Sequence, residues 1–89
     1  MQQAHLFISG TVQNVGYRQF VKNSARTFGL TGWVRNTEDG GVEVVLQGEE
    51  KAIDHMIDSC KQGTFLSEVE QIGYEWEDVE EPLSDFAIQ

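Results

Sequence analysis

One cysteine, one proline and no acidic residue before Glu38 are the scarcities that frame this 89-residue chain. Cys60 has no partner for an internal disulfide, which fits a reducing compartment and makes a cytoplasmic protein the expectation. As a small apolar residue on a helix stripe, with only Lys61 as a basic neighbour, Cys60 reads as core filler rather than as a nucleophile. Pro82 stands alone, and no repeat, low-complexity tract or linker interrupts the sequence, so residues 1–89 read as a single domain. No apolar run approaches the roughly 20 residues of a membrane span, which argues against a membrane partner. The start, Met1-Gln2-Gln3-Ala4-His5, lacks the basic segment and apolar stretch of a secretory leader. No second hydrophobic seam is evident, so a monomer is expected.

Acidic charge dominates what is present. The net charge of −9 repels polyanions and argues against a nucleic-acid partner. Its distribution is lopsided. Residues 1–37 hold Arg18, Lys22, Arg26 and Arg35 and no acid, whereas all fifteen acids lie from Glu38 onward, beside only Lys51 and Lys61. A site for a small anion belongs in the first 37 residues.

Periodicity gives the order of elements. From His5 to Val12, Leu6, Ile8 and Val12 alternate against His5, Phe7, Ser9 and Thr11, which predicts a strand. Tyr17, Phe20, Val21, Ser24, Ala25 and Phe28 recur at helical spacing, and Gly29 stands where a left-handed terminator belongs. Leu30 to Asn36 reads as a second strand, with Val34 and Asn36 on one side and Trp33 and Arg35 on the other. Glu38-Asp39-Gly40-Gly41 is a hairpin turn. Val42, Val44 and Leu46 mark a third strand that Gly48 ends. Ala52, Ile53, Met56, Ile57 and Cys60 line one stripe of a second helix that Gly63 closes. Val69 to Glu77 is a fourth strand, residues 78–84 an acidic loop, and Phe86-Ala87-Ile88 a short edge strand. Trp33, Tyr74 and Trp76 read as packing groups. The order β-α-β-β-α-β plus one strand predicts an α+β ferredoxin-like open-faced sandwich, with both helices on one face of an antiparallel sheet. Such a fold hosts many activities and names none.

The segment Gly10-Thr11-Val12-Gln13-Asn14-Val15-Gly16-Tyr17-Arg18 joins the first strand to the first helix. A loop entering a helix N-terminus leaves backbone N–H groups without partners, and these favour an anion together with the positive end of the helix dipole. Gly16 and Asn14 tolerate the φ angles that turn successive N–H groups into one concavity. Arg18 falls in the first helical turn, where a guanidinium grips two phosphate oxygens. Short glycine turns before helices are common, however, and the spacing is that of neither a nucleotide P-loop nor a dinucleotide fingerprint. On physics alone, an anion site and a plain surface arginine both stay open.

Two motifs carry a resemblance to a known family. Gly10-x-Val12-Gln13-x-Val15-Gly16-Tyr17-Arg18 resembles the first acylphosphatase signature, and Gly32-Trp33-Val34-Arg35-Asn36-x-x-Asp39-Gly40-x-Val42-Glu43 resembles the second. Their order and spacing agree, and the similarity covers nearly the whole chain. The resemblance implies a ferredoxin-like fold and hydrolysis of the carboxyl–phosphate anhydride bond of an acyl phosphate, giving carboxylate and inorganic phosphate without metal or other cofactor. It implies Arg18 as the phosphate-binding arginine and Asn36 as the catalytic asparagine. It also implies Gln13, Asn14, Val15, Gly16 and Tyr17 as the loop whose amides cradle the phosphate. The chain departs from the pattern at Asn14, where the family usually has glycine, and at Thr11, where it often has arginine. The segment Gly63 to Ser67 lacks the family's usual proline.

Other readings follow from the same residues. A non-catalytic ferredoxin-like module binding an anionic metabolite through the same loop predicts phosphate binding without turnover. An RNA-binding sheet shares the element order but wants exposed aromatics and a basic surface, against which Glu43, Val45 and Gln47 on the third strand and the acidic charge both count. His5 and His55 fall on different elements and suggest no metal pair. The acids from Glu75 to Glu81 read as a solvated edge.

Overall fold

A computed structural model describes all of residues 1–89. Strand β1 (Gln2–Thr11) leads into helix α1 (Tyr17–Thr27). Strands β2 (Thr31–Asn36) and β3 (Val42–Gln47) form the hairpin, followed by helix α2 (Glu50–Gln62), strand β4 (Glu68–Asp78) and strand β5 (Phe86–Ile88). The sheet order is β4-β1-β3-β2-β5. The antiparallel expectation holds for the first four strands. β5 instead pairs parallel to β2, with Trp33 opposite Ala87, so the sheet is mixed. The acidic segment after β4 carries the chain from one sheet edge to the other, and this return path sets the direction of β5.

Even-numbered strand residues and the helix stripes make the core. Ala4, Leu6 and Ile8 of β1, Val34 of β2, and Val42, Val44 and Leu46 of β3 pack on Tyr17, Val21 and Ala25 of α1 and on Ile53, Met56, Ile57 and Cys60 of α2. Both helices therefore lie on one face. α1 ends in a Schellman motif: Gly29, at φ 71°, donates to Arg26 and Leu30 donates to Ala25, which satisfies carbonyls that the helix end leaves free. β1 begins earlier than its apolar alternation indicates, because Gln2 and Gln3 pair with Asp78 and Glu77.

Tyr74 and Trp76 are not core residues; they are 51% and 37% exposed. Their register with Leu6 and Ala4 puts them on the helix face, but β4 is the edge strand. Only Val69 and Ile72 of β4 are packed against the core.

The face without helices is covered at its centre by its own side chains. Trp33 meets the His5 ring edge-on at 6.0 Å, Arg35 lies 5.1 Å above the Trp33 ring, and Val45 beside them is 4% exposed. Glu43 is buried there, accepting hydrogen bonds from Arg35 (2.7 Å) and His5. Burial pushes the Glu43 carboxyl upward, but the hydrogen bonds from His5 and Arg35 outweigh it and hold the group below the usual carboxylate range. A carboxylate depressed in the folded state stabilises the fold above its unfolded pKa and loses that contribution as pH falls through the folded value. Glu43→Gln is therefore expected to cost about 1–2 kcal/mol at pH 7. The deficit relative to wild type should shrink as pH drops below the ordinary carboxylate range, as read by urea unfolding across pH.

Candidate functional site

Strand direction gathers the site at one end of the sheet. β1 and β2 are each antiparallel to β3, so they run the same way and end together at Thr11 and Asn36. α1 begins where β1 ends and returns over β2. Its N-terminus thus lies at the Asn36 end. Parallel β5 finishes there too, with Gln89 N–H donating to the Val34 carbonyl at 2.8 Å.

The loop between β1 and α1 alternates between anchored and open residues. The Gln13 carboxamide donates to the carbonyls of Thr37 (2.9 Å) and Gly41 (2.8 Å), tying the loop to the β2–β3 hairpin one residue beyond Asn36. The Val15 carbonyl accepts the Thr64 hydroxyl at 3.0 Å. The buried Tyr17 hydroxyl donates to the Cys60 carbonyl at 2.8 Å. Burial pushes the Tyr17 phenol well above its ordinary pKa, so it stays a neutral anchor between the two helices. These pins were not visible in sequence, since their partners lie 24 to 49 residues away.

Between the pins the backbone is left-handed. Asn14 has φ 63° and Gly16 φ 75°, and Asn14 is the one non-glycine residue with positive φ. Asparagine bears this conformation better than most residues, through its short polar side chain. No backbone N–H from Gln13 through Gln19 donates to any group of the protein; the first helical bond runs from Phe20 to Gly16 at 3.1 Å. Seven successive donors are free, at the positive end of a helix that has no acidic residue in its first turn. An anion supplies the acceptor that such a run lacks.

Asn14, Gly16, Tyr17 and Arg18 line a cavity of about 220 Å³ with Val12, Gln19 and Ile88. Arg26 and Arg35 are matched with Asp85 and Glu43. Arg18 pairs with no side-chain carboxylate, and its Nη1 makes one long contact, 3.4 Å, to the backbone oxygen of Gln89. The guanidinium is thereby left open to a bidentate anion. The largest concavity, about 630 Å³, lies between the hairpin and β4. It holds Asp39 and Glu70 and no basic side chain, so size does not locate an anion site here; charge does.

Asn36 does not share the Arg18 cavity. It lines a neighbouring concavity with Arg35, Thr37 and Glu38, and Gln13 bridges the two sites. The Asn36 Oδ1 is buried without a hydrogen-bond partner. Most buried polar atoms are satisfied, so an orphaned acceptor of this kind is an exception in the fold. Cys60 is fully buried, and desolvation pushes its thiol up to about 12, which leaves it no nucleophilic role. His5 bonds Glu43 on the open face, whereas His55 sits beside the Phe28 ring; the two are not together.

The family model and the curated relatives agree. The acylphosphatase family model matches residues 4–88. An acylphosphatase of Roseiflexus sp. (strain RS-1) is 47% identical over 77 residues, 86% of this chain and 83% of its own. One from Geobacillus thermodenitrificans (strain NG80-2) is 39% identical over 88 residues, 99% of this chain and 94% of its own. The crystal structure of acylphosphatase from Bacillus subtilis matches with a TM-score of 0.97 at 35% identity, over 100% of this chain and 99% of that one. Relatives so similar over nearly their full length, together with both motifs on the free-donor loop and the strand end beside it, place this chain in the acylphosphatase family of enzymes that hydrolyse acyl phosphates.

Proposed function

We propose that the substrate phosphoryl group is held by the backbone N–H groups of Gln13, Asn14, Val15, Gly16, Tyr17 and Arg18 and by the Arg18 guanidinium, while Asn36 orients the attacking water. The run of N–H groups without a protein acceptor, beside an arginine without a side-chain carboxylate partner, supports this reading. Phosphoryl transfer passes through a loose transition state, so positioning and charge stabilisation supply most of the catalysis. The donors of the loop and Arg18 neutralise the phosphoryl oxygens. Asn36, which lines the neighbouring concavity, holds the water through its carboxamide and aims the water oxygen at phosphorus. A carboxamide is a poor base, so the proton passes to a phosphoryl oxygen as the new P–O bond forms. The old P–O bond breaks toward a carboxylate, a leaving group stable enough to depart without a general acid.

No side chain lining the Arg18 cavity is a carboxylate, imidazole or thiol, and each role above falls to the chain's own residues. Phosphate release from acetyl phosphate and benzoyl phosphate is the test. Accelerated hydrolysis, unchanged by excess EDTA, is the expected result. Phosphate binding with hydrolysis at the uncatalysed rate would leave only the non-catalytic module. Activity lost to chelator would remove the metal-free mechanism. The proposal extends to a cytoplasmic monomer acting on a small anion, with no nucleic-acid or membrane partner. The single buried thiol and the net charge of −9 support it.

A further inference from the structure

Strand β1 parts from the hairpin before the chain enters the loop. Its last rung on β3 pairs Ile8 with Val42, and beyond the irregularity at Ser9 it pairs only with β4, Gly10 with Val69 and Thr11 with Glu68. Asn36 stands on the other branch of the sheet, on the last rung of β2 with β3, also opposite Val42. No backbone hydrogen bond joins the loop residues Val12 to Gly16 to the hairpin. The Gln13 side chain makes that link alone: its Nε2 donates to the carbonyls of Thr37 at 2.9 Å and Gly41 at 2.8 Å. A carboxamide nitrogen carries two hydrogens, so both are committed to the hairpin.

The two accepting carbonyls are held in their turn. Thr37 N–H donates to the Gly41 carbonyl at 3.0 Å, and Gly41 N–H donates to the Thr37 hydroxyl at 3.1 Å. The Thr37 hydroxyl also donates to the Asp39 carboxylate, and this bond does most to hold that carboxyl below its usual range. A Cβ on Gly41 would come within 2.6 Å of the Ile8 carbonyl oxygen, so the turn seats closely on β1. Gln13 therefore grips a fixed turn, one residue along the chain from Asn36. We propose that Gln13 is a positioning residue, whose carboxamide sets the phosphate cradle at the distance from Asn36 at which water meets phosphorus in line. The proposal rests on the reading of the loop as the cradle and of Asn36 as the holder of the water. Arg18 and the loop amides lie on one side of the link and Asn36 on the other, so losing it leaves each group intact and spoils their alignment. A misplacement of about 1 Å costs on the order of a hundredfold when reacting groups must be aligned.

A double-mutant cycle between Gln13→Ala and Asn36→Ala tests this, with kcat for benzoyl phosphate and inhibition by inorganic phosphate measured where thermal unfolding shows every variant folded. Gln13→Ala should lower kcat about tenfold and leave phosphate inhibition within about twofold. In the Asn36→Ala background the same change should lower kcat by less than about twofold, because no oriented water is left to misalign. Gln13→Glu supplies a second readout. Its carboxylate offers no hydrogen to the two carbonyls, whereas the protonated acid donates one, so its kcat relative to wild type should rise as pH falls and the carboxyl takes up its proton. Unchanged kcat in Gln13→Ala, an equal loss in both backgrounds, or phosphate inhibition lost in step with kcat would each overturn the proposal. A Gln13→Glu to wild-type ratio that stays flat with pH would do the same. Wild-type turnover in Asn36→Ala would instead overturn the orienting role on which the proposal rests, so the two failures are distinct.

Discussion

Arg18→Ala is expected to lower kcat/KM for an acyl phosphate by about a thousandfold, the size of effect seen when a charged group facing a transferring phosphoryl is removed. Inhibition by inorganic phosphate should weaken with it, since the guanidinium holds the phosphoryl oxygens in the ground state as well. The fold should hardly notice. Arg18 has no salt bridge to a side chain, and its one hydrogen bond is the long one to the Gln89 oxygen, so the stability change should stay within about 0.5 kcal/mol. Arg18→Lys keeps the charge but loses the planar fork, and should recover only part of the activity. Steady-state kinetics with phosphate as competitive inhibitor, beside a urea titration, checks each statement. Wild-type turnover in Arg18→Ala would take this residue out of the mechanism.

How much of this was legible in the sequence depends on the distance over which each feature is made. The helices and inner strands were local. Leu6, Ile8, Val42, Val44 and Leu46 repeat at the strand period, and Val21, Ala25, Ile53, Met56, Ile57 and Cys60 at the helix period. The burial of all of them bears the pattern out. The free-donor loop was legible too, since Gly16 and Asn14 advertise left-handed backbone and both adopt it. What failed was non-local. Nothing in Tyr74 or Trp76 says that β4 lies at the sheet edge, where an alternating strand is left uncovered. Nothing in Phe86 to Ile88 says that β5 joins β2 in parallel. Gln13 appeared only as a cradle residue, yet its side chain is spent on Thr37 and Gly41. The feature that sets Asn36 beside the loop is therefore a pair of hydrogen bonds across the fold. A motif preserves such a device without displaying it.

Asn36→Ala is the second large effect, and its signature differs from that of Arg18. Asn36 is assigned to the water rather than to the phosphoryl group, so kcat should fall by about a hundredfold, the cost of losing orientation of one reactant. Inhibition by phosphate should stay within about twofold, and kcat and kcat/KM should fall together, as for an interaction made only in the transition state. Stability separates this role from a structural one. A structural asparagine is bonded to its surroundings, and truncating it costs stability. Here Oδ1 is buried and unpartnered, a state that carries a desolvation penalty of about 1–3 kcal/mol. Truncation removes that penalty along with the acceptor. Asn36→Ala should therefore unfold at the same temperature as wild type or higher while losing most of its turnover. Asn36→Asp keeps the shape but sets a negative charge toward the incoming phosphoryl group, so binding and turnover should fall together. Thermal unfolding beside single-turnover kinetics decides the matter. A clear loss of stability in Asn36→Ala would mean that Oδ1 holds the fold together, and the orienting role would then need another residue.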